Sequence, residues 1–155
     1  MDLRELQQQF KQVTEDKLVS GALVQTRLTR ENGLFLSPEK KDHLKKMIII
    51  GVDRTNRICY GAILINSNIN PHATLSLDFL ATQYLLRRTI DYEAFLDYDS
   101  YVDCAKIFSI PFDKLMTGEY FGTLTSDDHT AIWNILETNK VLTRKEKKRF
   151  GIKRM

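Results

Sequence analysis

At 155 residues, with 43% hydrophobic and 28% charged residues, the chain has the length and composition of one domain with its own core, and these numbers exclude disorder throughout. Its net charge of +3 hides an asymmetry: residues 140–155 carry eight Lys/Arg and one acid, while the remaining 139 are net acidic. The longest apolar run, Ile58–Ile65, has strand length and falls short of the roughly 20 residues that span a bilayer, and the Gln-rich, charged N-terminus does not read as a secretory signal, so a cytoplasmic chain is expected.

In chain order, Leu3, Leu6, Phe10 and Val13 recur at helical spacing, which predicts an N-terminal helix over residues 2–18 that docks on the body or on a second chain. Gly21 ends it and opens a strand at Ala22–Leu28. Thr29–Lys46 reads as a polar loop, with turn signals at Asn32-Gly33 and Ser37-Pro38 and a basic cluster of Lys40, Lys41, His43, Lys45 and Lys46. The run MIIIGV over Met47–Val52 predicts a strand buried on both faces, and Asp53–Arg57 a polar turn. A third strand is expected over Ile58–Ile69 and a further one over Gln83–Thr89, with residues 73–82 readable as strand or helical turn.

From Asp99 to Leu136 the pattern sharpens. Val102, Cys104, Phe108 and Ile110 alternate with more polar neighbours, as on a half-buried strand, and Pro111 ends the ladder because it has no N–H to donate. Thr125, three residues before Asp128, predicts a capped helix whose apolar face carries Ile132, Ile135 and Leu136. Cys59 and Cys104 fall inside expected strands and read as reduced, buried thiols; neither they nor the three scattered histidines have zinc-site spacing, so no metal and no cofactor is expected. Sequential strands with one late helix suit a small antiparallel barrel. The basic tail, with Phe150 and Ile152 among its charges, suits docking on the body or an anionic partner such as RNA.

This order resembles the PemK/MazF toxin family of SH3-like barrels over residues 20–139, flanked by an N-terminal helix at 1–19 and the basic tail at 140–155. The resemblance is carried by Gly21-Ala22-Leu23-Val24, by the basic loop leading into MIIIGV, by GAILINSN, and by Asp99-Ser100-Tyr101-Val102 followed by Ile110–Leu115, Gly122-Thr123-Leu124 and the helix. It implies a mainly β fold with helices and an endoribonuclease that cuts single-stranded RNA without metal, in a toxin–antitoxin-type system. It also implies a homodimer and an acidic antitoxin segment laid over a basic groove. By position, the family's catalytic Arg falls on Lys45 or Lys46 and its phosphate-orienting hydroxyl on Ser67. Lys46-Met47 stands where the family has Arg-Pro, and lysine holds phosphate as a point charge without the planar fork of arginine. His43, which titrates near neutrality, is a candidate proton-transfer group.

Arg54, Arg57, Arg87 and Arg88 are candidate RNA contacts, against the alternatives of a solvated turn for the first two and a charged strand edge for the others. Tyr84, Tyr101 and Tyr120 are candidate stacking residues, with packing as the alternative, and His129 reads as a surface residue. Two rival functions fit the same residues: a catalytically inactive barrel that binds RNA or a protein partner, and a structural protein whose N-terminal seam and tail dock other chains.

Overall fold

The computed structural model describes residues 2–4, 11–66 and 77–152. The chain is mainly β, with strands β1 (Ala22–Thr29), β2 (Asp42–Asp53), β3 (Ile58–Asn66), β4 (Gln83–Leu86), β5 (Ser100–Pro111) and β6 (Glu119–Thr123). They form one antiparallel six-stranded sheet in the order β4-β5-β3-β2-β1-β6. Among the described residues no ladder joins the two edge strands, β4 and β6. No described helix is long and apolar enough to cross a membrane.

The period-two alternation of the strands sends side chains into two cores, one on each face. Leu23, Ile48, Ile50, Ala62, Leu64 and Val102 pack with Ile132 and Leu136 of the helix Ser126–Thr138. Val24, Met47, Ile49, Cys59 and Ile63 pack on the other face with Val13, Leu18 and with Phe112 and Leu115 of the short helix Phe112–Leu115. Met47–Ile50 are buried throughout, as the run MIIIGV predicts for a strand covered on both sides. Cys59 and Cys104 are free and buried, and burial pushes each thiol up to about 12.

Four details differ from the sequence reading. Of the expected N-terminal helix, Leu3, Arg4 and Lys11 are helical and residues 5–10 lie outside the described set; from Gln12 the chain is no longer helix, because Gln12 bridges Glu119 beside the sheet and Glu15–Lys17 forms a single 3-10 turn. Second, β2 begins at Asp42 and not at Met47. Pairing with β1 from Thr29↔Asp42 to Gln25↔Lys46 draws the basic residues out of the expected loop, and Arg27 holds Asp42 at 3.0 Å. Third, β4 stops at Leu86, because the backbone N–H of Arg88 turns to the Asp99 carboxylate.

Fourth, β5 does not keep one phase. Its pairing with β3 jumps from Ala62↔Ile107 to Leu64↔Val102, so a bulge occupies residues 103–106. The bulge is satisfied locally: Ala105 N–H donates to the Asp103 carboxylate and Cys104 N–H to the Thr82 carbonyl. Val102 and Cys104 therefore join the first core and Phe108 and Ile110 the second, although all four share parity in sequence.

The helix cap appears as read. Thr125 is the N-cap of Ser126–Thr138 and its hydroxyl accepts from Asp128 N–H at 3.3 Å. The Asp128 carboxylate also accepts from the Thr125 hydroxyl, from Tyr84 at 2.5 Å and from Tyr92, which pins the helix to β4 and to the turn after it. Burial alone would raise this carboxyl; the hydrogen bonds from Tyr84, Tyr92 and Thr125 outweigh burial and hold it below 3.8. Its contribution is therefore complete above the ordinary carboxylate range and is lost as pH falls through the depressed value. Asp128→Ala is expected to cost about 3 kcal/mol, since it removes charge-assisted bonds and strands two phenols. Urea denaturation at neutral pH and in acid checks both size and sign: the wild-type advantage over the variant should shrink as pH falls.

The basic tail folds back on the body. Thr143 caps the helix Arg144–Arg149 through a capping box with Glu146, and Phe150 and Ile152 are buried in the first core. Gly51 makes this possible: a Cβ there would lie 2.1 Å from the Phe150 carbonyl oxygen. Lys147 donates to the carbonyls of Glu137 and Asn139, closing the C-terminus of the preceding helix.

A cationic cleft where β2 and β3 part

The ladder between β2 and β3 ends at Met47↔Ile63, although β2 starts five residues earlier and β3 runs on to Asn66. Beyond that point β2 stays with β1 and β3 with β5. The divergence opens a cleft of about 390 Å³, lined on one side by His43, Lys45 and Lys46 and on the other by Leu64, Asp97 and Ser100. Gln25, Ile65 and the exposed Leu44 and Tyr98 complete its lining.

Three of the four residues expected at the phosphate site are thus brought together: His43, Lys45 and Lys46. The fourth, Ser67, lies outside the described residues. His43 and Lys45 are two residues apart on one strand and face the same way, at a spacing of about 7 Å. Partial burial lowers the His43 pKa below 6.5, and the charges of Lys45, Lys40 and Arg27 push the same way against the smaller opposing effect of Asp42. Lys45 is half-buried; burial first, and the Lys40 charge second, lower its pKa below 10.5. At neutral pH the imidazole is therefore biased to its neutral, proton-accepting form, and the ammonium is an acid better matched to proton donation than a solvated lysine.

Lys46 points to the other face of β2. Its ammonium sits 3.1 Å from an Asp97 carboxylate oxygen and 6.0 Å from the centre of the Phe95 ring. Asp97 is 85% exposed, so the pair is held at the mouth of the cleft in water, where such contacts are worth about 0–1 kcal/mol. Asp97→Asn frees Lys46 and removes the one carboxylate among the described lining residues of the cleft. Affinity for a phosphodiester oligomer is expected to rise about two- to fivefold, read by titration at low salt, with the gain disappearing at high salt.

The four arginines sort differently. Arg54 and Arg57 sit in the turn at the far end of β2, about 30 Å along the strand from the cleft. Arg54 donates to the Leu18 carbonyl at 2.9 Å, and Arg57, at φ 54, pairs with Glu15 and with Asp113. Both tie the N-terminal segment and the helix Phe112–Leu115 to the sheet and are not part of the cleft. Arg88 is nearer: its Nε donates to the Leu96 carbonyl at 2.8 Å and its backbone N–H to Asp99, which braces the loop that delivers Asp97 and Tyr98. Arg87 is exposed on the same loop, outside the cleft lining.

Tyr84 is committed to Asp128, and Tyr120 lies against the second core beneath the Lys17 ammonium. His129 stacks on Trp133 at 4.0 Å between ring centres. Asp97, Tyr98, Ser100 and Gln25 were not anticipated as cleft residues. No local pattern marks them; they arrive through the pairings Asn66↔Ser100 and Gln25↔Lys46. No described cluster of His, Cys, Asp and Glu is placed to hold a metal ion. No protein-family model matches this chain, and a search of curated proteins finds no match.

Proposed function

We propose that this chain is a PemK/MazF-like protein, an SH3-like barrel that takes single-stranded RNA into the cleft between β2 and β3 and cleaves it without metal. The observation that carries the reading is the placement of His43 and Lys45 on one strand face at an open, cationic cleft, with Lys46 lining it from the other face of the strand. RNA supplies its own nucleophile, so the protein has three tasks: to accept a proton, to donate one, and to stabilise charge on the phosphate.

In this mechanism His43 removes the proton of the 2′-OH. The 2′-oxygen forms a bond to phosphorus, the bond from phosphorus to the 5′-oxygen breaks, and Lys45 gives its proton to that leaving oxygen. The products are a 2′,3′-cyclic phosphate and a 5′-OH, and Lys46, from the other face of the strand, supplies charge to a neighbouring phosphate once RNA displaces Asp97. The family resemblance adds a homodimer and an acidic antitoxin segment that competes for the same cations. A second reading, RNA binding without cleavage, is favoured by the Lys46–Asp97 pair, which leaves Lys45 as the cleft's unneutralised ammonium.

The experiment is incubation with a long single-stranded RNA in EDTA, beside the His43→Ala/Lys45→Ala variant, with the cut ends mapped. Discrete cuts ending in cyclic phosphate that vanish in the variant support cleavage at this site. Salt-sensitive binding with no cuts supports the second reading. Neither cutting nor binding overturns both.

A further inference from the structure

The tail helix Arg144–Arg149 separates its charges from its apolar anchors. Phe150 and Ile152 are buried, Glu146 is turned back onto the Thr143 N–H at 3.0 Å, and Lys147 is spent on two carbonyls. Arg144, Lys145, Lys148 and Arg149 remain, all exposed. They form two i,i+4 pairs; Arg144, Lys145 and Lys148 face outward, while the Arg149 guanidinium lies against the body. None of the four has an ion pair among the described residues. Like charges at this spacing destabilise a helix. An uncompensated face of this kind is stabilised by a polyanion that neutralises several of its charges together.

Two features make this face more than a solvated tail. Arg149 is held in place: its guanidinium lies 5.9 Å from the Tyr60 ring centre and 5.6 Å from that of Phe150, and it donates to the Ser109 hydroxyl. Lys148 and Arg149 also border, with Arg54, a depression of about 350 Å³ in which Asp53, the one carboxylate among its described lining residues, is turned to Asn56. The tail seats at Gly51 on the first-core face of the sheet, the face to which Lys46 also points, five residues along β2 from Lys46 and so about 17 Å from it. A strand of about six nucleotides at helical rise covers that distance.

We propose that the outward face of the tail helix is a second contact for single-stranded RNA, engaging the phosphates of a strand held in the β2–β3 cleft. The inference rests on the RNA reading above and extends it to substrate length: chains long enough to reach both sites bind through both.

The test is anisotropy titration of labelled 2′-O-methyl oligouridylates, which lack the 2′ nucleophile and stay intact, at lengths of about 4 and about 20 nucleotides over a range of salt. In Arg144→Gln/Lys145→Gln/Lys148→Gln, affinity for the long oligomer is expected to fall about tenfold, with the slope of log K against log salt smaller by about 2 and the short oligomer unaffected. Lys145→Gln alone, with a smaller change of about 0.7 in slope, serves if the triple variant fails to fold. Lys45→Ala/Lys46→Ala separates the two readings: if it binds both lengths like the parent while the tail variant does not, the cleft reading fails and the tail contact stands. An unchanged slope in the tail variants overturns the proposal. If those variants instead lose binding to phosphatidylserine vesicles, the face belongs to a lipid surface and the proposal is equally overturned.

Discussion

Gly51→Ala is expected to eject the C-terminal tail from the sheet. The added Cβ would sit 2.1 Å from the Phe150 carbonyl oxygen, and the obstacle is backbone, which cannot rotate away as a side chain would. Gly51 adjoins a bulge, where Ile49↔Gly61 is followed by Gly51↔Tyr60, so the strand is already shaped to receive the tail. Once displaced, Phe150 and Ile152 leave the first core and the Tyr60–Phe150 ring contact at 5.1 Å is lost. Two buried side chains of this size are worth about 4 kcal/mol. Urea denaturation should show a loss of that order, and trypsin should cut within Arg144–Arg149 in the variant under conditions that spare the parent. An unchanged denaturation midpoint together with an unchanged tryptic pattern would show that the tail is not seated on Gly51.

The largest functional effect is expected from His43 and Lys45 and is readable as a pH profile. Both pKa values are shifted down, so the neutral imidazole and the protonated ammonium coexist between a lower limit below 6.5 and an upper limit below 10.5. Cleavage should rise with pH through the His43 value and fall through the Lys45 value. His43→Ala is expected to slow cleavage about a hundredfold and to abolish the acid limb. Lys45→Arg keeps the positive charge but gives up its proton only at far higher pH, so the alkaline limb should move upward and the maximal rate should fall. A profile with both limbs intact in His43→Ala would remove His43 from the mechanism.

Much of the sheet was legible because its signals are local. Met47–Ile50 is apolar without interruption because both faces are covered, and Thr125 with Asp128 marks a helix start within four residues. The misread parts depend on distant partners. Asp42–Lys46 carries a polar sequence of loop character and becomes strand only because β1 pairs with it. The phase change in β5 is invisible in its alternation, since the bulge is held by Thr82 from another strand's approach. The cleft was half legible for the same reason. Its cations cluster in sequence at His43, Lys45 and Lys46, whereas Asp97 and Ser100 reach them from over fifty residues away, and Arg54 and Arg57, near in sequence, lie at the other end of the strand. Arg57 in particular is absorbed by Glu15 and Asp113, two acids that no spacing rule associates with it.

The pairing of β1 with β6 also has a kinetic consequence. The hairpins β1–β2 and β2–β3 join neighbours in sequence, but Ala22↔Thr123 closes a loop of about a hundred residues before the first contact of that ladder can form. The β1–β2–β3 meander is therefore expected to form first and β6 to join later, which stopped-flow refolding would check. The same order is expected in local opening: amides of the edge strand β6 should exchange with solvent ahead of those in the interior strands β2 and β3.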